Sequence, residues 1–226
     1  MKIQKRIVRS ILVFLIFWNS VYLQLIPIKL LHLNVNNLSA TSRVALSCFS
    51  NIILFFLFFF VYRKELKEDF KKFKNNLVEN IDTGFKYWLI GLIIMVVTNH
   101  ILAFFLASGG ANNENTIQSM IKVFPFLMLI DGGMIAPFVE EIAFRKTLKD
   151  VISNKWIFVL LSFLIFGGAH VISGATVWTD YLYIISYGSL GAAFALAYYE
   201  TDTIFTSMTL HMMHNTVLIL MSIFIL

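Results

Sequence analysis

The chain has 226 residues, 58% of them hydrophobic and 14% charged, with a mean hydropathy of +0.78. A soluble domain averages about 25% charged residues, so this apolar excess excludes a single water-soluble core. The expectation is an all-α polytopic membrane protein, one integral membrane domain over residues 1–226. The net charge of +5 fits Lys and Arg gathered in cytoplasmic loops, and no basic patch interleaved with aromatics points to nucleic acid. The one cysteine, Cys48, excludes an intrachain disulfide and reads as a small apolar filler.

Lys2, Lys5, Arg6 and Arg9 precede an apolar run from Ile7 to Leu31. No small-x-small site follows Phe17-Trp18-Asn19, so the run reads as an uncleaved first span, kinked or ended near Pro27. The second span is Val44 to Tyr62; its aromatic stretch from Phe55 to Phe60 reads as bulk for lipid contact. Residues Arg63 to Lys74 alternate acids and bases at i,i+3 and i,i+4 spacing, predicting a solvated or interfacial helix. The third span is Lys86 to Ala107 and holds Asn99 and His100. A lone His in a span is more often packed than catalytic.

Ser108 to Gln118 is rich in Gly and Asn and reads as a loop. Ile117 to Ile152 is too long for one simple span, and Pro125, Gly132-Gly133 and Pro137 are three places to break it. Asp131 belongs to that break. The fifth span is Trp156 to Ile172, the sixth Tyr181 to Tyr199 and the seventh Thr203 to Leu226. Basic residues fall overwhelmingly on alternate segments, with only Lys29 and Arg43 on the other side and Lys122 at a helix start. That bias predicts seven spans (six or eight if the broken region is misread), N-terminus inside.

The chain is organised around Pro137-Phe-Val-Glu-Glu-Ile-Ala-Phe-Arg145. A charge at membrane depth costs about 2.5–3.5 kcal/mol on insertion scales, so such residues usually face a cavity and have a role. Glu141 and Arg145 share a helix face and would neutralise each other. Glu140 is rotated about 100° away and is left for chemistry. The bland alternative is an ion pair that only locks two helices.

Two more polar clusters occur in spans, Phe166-Gly-Gly-Ala-His170 and His211-Met-Met-His-Asn215. Gly167 and Gly168 would let another helix approach closely. At 1.5 Å per residue, Glu140 and His211 lie at matching depths, each about 13 Å from a flanking charge, and His170 some 8–9 Å higher. Tilt or a bent fourth segment could absorb that difference. A carboxylate and an imidazole can hold and deprotonate a water. A second imidazole and an amide can donate to an oxyanion. No Ser or Cys sits in a nucleophile context. The same Glu140, His170 and His211 could instead be a two-His, one-carboxylate zinc site. Without a His-Glu-x-x-His pair, the metal-free, cofactor-free reading is favoured. The blandest alternative is three unrelated polar features packed between helices.

Glu140-Glu141-x-x-x-Arg145, Phe166-x-x-x-His170 and His211-x-x-x-Asn215 resemble, in order, the three motifs of the CAAX protease and bacteriocin-processing family, the type II CAAX endopeptidases. The resemblance covers about residues 117–226, which would be the protease core. It implies a helical intramembrane glutamate protease. Glu140 would be the base, His170 would help activate the water, and His211 and Asn215 would form the oxyanion hole. Glu141 and Arg145 would support Glu140. Lys146 stands where many relatives have Gly, and His214 where Asn is common. The resemblance implies a peptide or membrane-associated protein as substrate: a CAAX protein, or a bacteriocin or pheromone precursor in a bacterial plasma membrane. Some relatives act in self-immunity, and a non-catalytic immunity or scaffold protein is the alternative from a different class. Oligomeric state has no signature in the sequence.

Overall fold

The computed structural model describes residues 3–106 and 112–225. Eleven α-helices occur among them, with no strand: α1 Ile3–Trp18, α2 Leu25–Leu30, α3 Ala40–Asn75, α4 Leu77–Leu106, α5 Asn112–Val123, α6 Pro125–Ile130, α7 Ala136–Glu141, α8 Thr147–Val151, α9 Lys155–Val171, α10 Ile184–Thr201 and α11 Ile204–Phe224. Side-chain oxygens cap the long helices at their starts: Ser39 accepts from the Ser42 N–H, Asn154 from Trp156 and Ile157, and Thr203 from Phe205. Each cap satisfies an amide that the first helical turn leaves without a partner.

By length and composition, four helices could cross a membrane: α3, α4, Trp178–Thr201 and α11. A fifth is possible if the pair Ile3–Trp18 and Ser20–Leu30, bent by 58°, counts as one span. That count stops short of the expected seven. The segment Pro125 to Val151 carries Asp131, Glu140 and Glu141, and α9 has 17 residues.

Several local expectations are corrected. The bend in the first span falls at Asn19. Pro27 lies in the first turn of α2, where its missing N–H costs no helical bond. Of the expected loop at 108–118, residues 108–111 lie outside the described residues, and the chain is helical from Asn112. The charged run 63–74 continues α3 without interruption, and its ion pairs among the described residues go to other helices: Glu65 to Arg9 at 2.5 Å and Lys72 to Asp202 at 2.8 Å. The Phe-rich stretch is split. Phe56, Phe59 and Phe60 face outward, whereas Phe58 is fully buried and Phe55 packs on Phe138 at 4.6 Å.

The core is built around the Glu140 segment. Leu54, Phe58 and Tyr62 of α3, Ala195 and Tyr198 of α10, and Met208 of α11 close on Phe138, Val139 and Ile142. At one end Asp150 takes Arg9 at 3.0 Å, Ser10 at 2.9 Å and Lys146 at 3.2 Å, tying α1 to α8.

α10 packs tightest, because small residues let backbones meet. A Cβ on Gly167 would stand 2.6 Å from the Ile184 carbonyl, one on Gly188 2.9 Å from the Phe163 carbonyl, and one on Gly191 2.8 Å from that of Ser162. Gly167 thus does what the sequence suggested. Gly168 does not, since its Cβ would meet only Ile172 at the end of its own helix. On the other flank, Gly91 of α4 meets Ala193, and Ser189 Oγ donates to the Gly91 carbonyl at 2.9 Å. Gly188→Val is expected to lower stability by about 1–3 kcal/mol through overpacking; Gly168→Ala is expected to be near neutral. Denaturant titration in detergent micelles compares the two.

Candidate functional site

Two π-helical turns, Asp131–Ile135 and Ile142–Lys146, flank the six residues of α7. Such wide turns are rare and concentrate at functional sites. The first has a readable cause. The Ala136 N–H bonds to the Asp131 carbonyl. Pro137 is next and has no N–H, so it can serve neither Gly132 nor Gly133. Both carbonyls are taken by α11: Asn215 Nδ2 donates to Gly132 at 3.0 Å and Thr216 Oγ1 to Gly133 at 3.4 Å. A Cβ at Gly133 would stand 2.9 Å from Thr216 Oγ1, so glycine is what lets α11 this close. Asp131 does belong to the break, and its Oδ2 accepts from Asn51 of α3 at 2.9 Å.

Glu141 and Arg145 are fully buried, with Glu141 Oε1 3.0 Å from Arg145 Nη1. The expected pairing is present, but a third member joins it: His211 Nδ1 lies 2.8 Å from the same oxygen. The Arg145 guanidinium sits 4.3 Å from the Phe166 ring centre, a cation–π contact. Its Nη2 also donates to the Gly191 carbonyl at 3.4 Å. His211 stacks on Phe194 at 4.8 Å, which fixes the ring plane. Its Nε2 then faces Glu140 Oε2 at 3.7 Å, too far for a direct hydrogen bond. A gap of that size between polar groups suits one bridging water.

Glu140, His170, His211 and Asn215 line one cavity of about 210 Å³, with Phe166 and His214 in the same wall. Glu141 and Arg145 stand behind it. His170 reaches the cavity despite its offset along the chain. Its Nδ1 is bonded to the Phe166 carbonyl at 2.8 Å and its ring lies between Phe166 and Tyr187, so Nε2 is the nitrogen left for the cavity. His100, by contrast, is exposed and bonded to the carbonyl of Val96. Among the described residues, no three His, Cys, Asp or Glu side chains converge closely enough to hold a metal ion. Both imidazoles have already committed Nδ1 to protein oxygens.

Sequence reasoning noted Asn99 of α4 without giving it a place in the site, and passed over the polar cavity residues Gln118 of α5, Ser186 and Tyr187 of α10 and Ser222 of α11. For Asn99, Ser186, Tyr187 and Ser222 the signal was present, since each is a polar group in an apolar helix. It also missed the bond between Glu141 and His211, which joins residues 70 positions apart. Breaking the buried triad leaves a charge without its partner, and Arg145→Met or Glu141→Gln is expected to cost about 3–5 kcal/mol. Glu140→Gln, on a partly exposed side chain, is expected to cost under ~1 kcal/mol. Unfolding of the purified protein in detergent tests the ranking.

Residues 122–217 match the family described as Rce1-like, type II CAAX prenyl endopeptidase. The chain is 27% identical over 158 residues to a Bacillus subtilis (strain 168) protein named "Putative membrane peptidase YdiL", an alignment covering 66% of this chain and 61% of that protein. It is also 27% identical over 172 residues to a protein of Mycoplasma capricolum subsp. capricolum whose name states no function, covering 67% of this chain and 51% of that one. The chain therefore spans about three fifths of the length of one of these relatives and half of the other. No solved structure matches it. The residues singled out from the sequence, Glu140 to Asn215, all fall inside the matched stretch, so the segment that carries the three motifs is the one similar to the Rce1-like type II CAAX endopeptidases.

Proposed function

We propose that the chain is an intramembrane endopeptidase that hydrolyses a peptide bond with a water activated by Glu140 and His170. The observation that carries this reading is the shared cavity: Glu140, His170, His211 and Asn215, contributed by three separate segments, open onto the same space. Charge counting supports the roles. Glu141 and Arg145 cancel, which leaves Glu140 negative beside His211. In this mechanism His211 carries both ring protons. Nδ1 then donates to Glu141 and Nε2–H is left to donate into the cavity. Asn215 spends one amide hydrogen on Gly132 and retains the other.

The reaction follows from those positions. Glu140 accepts a proton from the water while His170 Nε2 orients it, and the water oxygen attacks the scissile carbonyl carbon. Negative charge develops on the carbonyl oxygen, and His211 Nε2–H and the free Asn215 N–H receive it. As the tetrahedral intermediate collapses, the C–N bond breaks and Glu140 returns the proton to the leaving amine. No acyl-enzyme forms, and this sequence of steps needs no metal. The substrate is a peptide or membrane-associated protein: a CAAX-type protein or a secreted-peptide precursor, in a bacterial plasma membrane with the N-terminus cytoplasmic.

Glu140→Gln is expected to lower kcat by about 10²- to 10⁴-fold with the fold retained, measured on quenched fluorogenic peptides in lipid nanodiscs. Full activity in that variant would sink the reading and favour a scaffold or immunity protein that merely keeps the cavity. His211→Ala and Asn215→Ala are each expected to lose about 10²- to 10³-fold. Wild-type activity is expected to survive exhaustive chelation, and its loss with recovery on adding zinc would restore the two-His, one-carboxylate alternative.

A further inference from the structure

The cavity is longer than the chemistry needs. It follows α11 from His211 to Ser222, and eleven residues of helix span about 16 Å. A volume of about 210 Å³ drawn out over that length is a slot. Its far end is crossed by a hydrogen bond from Gln118 Nε2 of α5 to Ser222 Oγ at 2.9 Å. Much of its lining is aliphatic, including Ile117, Ile121, Leu218 and Ile219.

Besides Glu140 Oε2, two polar atoms in this slot have no hydrogen-bond partner among the described residues. Ser186 is 1% exposed and its Oγ is unbonded; the Oδ1 of Asn99 is buried and unbonded as well. Both residues line the cavity and neither has a part in the hydrolysis described above. A buried polar group left unpaired costs about 1–3 kcal/mol, so an occupant that bonds both would be stabilised there. An extended peptide backbone presents alternating N–H and C=O groups and rises about 3.3 Å per residue. An extended chain covers that length in roughly five residues.

We propose that the slot is a substrate-binding subsite in which the peptide lies extended along α11 away from the scissile bond. Asn99 Oδ1 accepts a backbone N–H of the peptide, and the Ser186 hydroxyl bonds a second backbone group. This rests on the endopeptidase reading and extends it from the reacting atoms to the recognition of the chain beside them. The contact is to backbone, so it selects for an extended segment and tolerates varied sequence, while the aliphatic lining favours apolar side chains.

The test uses the full-length protein in nanodiscs and a library of quenched fluorogenic decapeptides. One cleaved member is resynthesised as a series in which each backbone amide in turn is replaced by an ester, which removes one N–H. Wild type is expected to lose roughly three- to tenfold in kcat/KM at two ester positions within about five residues of the cut, one facing Asn99 and one facing Ser186. Asn99→Leu is expected to cleave the all-amide peptide and the first of those esters equally well. Ser186→Ala is expected to abolish the preference at a different position, and Ser186→Thr to restore it. An unchanged ester profile in both Asn99→Leu and Ser186→Ala overturns the subsite while leaving the endopeptidase reading intact. A wild-type protein that cleaves no library member overturns both.

Discussion

A single carboxylate oxygen, Glu141 Oε1, holds the motif-bearing half together. It lies 3.0 Å from the Arg145 guanidinium on its own helix and 2.8 Å from His211 on α11. Removing such groups from water costs several kcal/mol per ion, recovered only where partners are close and well placed. Here the partners come from both helices, so the charge is tolerated only when α7 and α11 sit at one depth and one rotation. The pair is thus a register device as much as an electrostatic one. It also separates two neighbouring acids. Successive helical residues project about 100° apart, so with Glu141 fixed in the core, Glu140 is turned into the cavity.

Helix irregularity makes the second half of the register. Pro137 removes a donor, the π turn at Asp131–Ile135 widens the helix, and the carbonyls of Gly132 and Gly133 become the seat for Asn215 and Thr216. One side chain on α11 therefore meets a charge at His211, and the next turn meets backbone at Asn215. Two unlike contacts one turn apart resist both sliding and rotation, which an apolar interface in lipid does weakly because lipid competes for the same surfaces.

Much of this was legible in the sequence. The helical, membrane-embedded class followed from composition. The three motifs were visible because charged and polar side chains are rare in such spans, and the four residues expected around the water do line one cavity. What escaped was geometry that depends on partners distant in the chain. The Glu141–His211 bond has no local signature. Asn19 in place of Pro27 sets the first bend because a proline in a first helical turn does not break it. Proline and the glycine pair marked the fourth segment as broken, yet not that it would continue through π turns in place of separating. Periodicity gives a direction around a helix axis, and a π turn shifts that direction by an amount the pattern does not encode. Phe58 was assigned to lipid with its neighbours because an unbroken aromatic run hides which face is buried.

The glycines of α9, α10 and α4 bear on the site although none of them lines the slot. Gly167, Gly188 and Gly191 bring α9 and α10 to backbone contact, and Gly91 with Ser189 does the same between α4 and α10. Those contacts fix how far His170 and Ser186 stand from α11, because both ride on helices that cannot approach more closely or rotate. The width of the slot is therefore set by backbone against backbone, and its chemistry by the few side chains that project past those contacts. A larger residue at any of these positions would act on the site from outside it, moving a whole wall where a substitution at Glu140 changes one atom pair. Packing and chemistry are in this way assigned to different residues of the same helices.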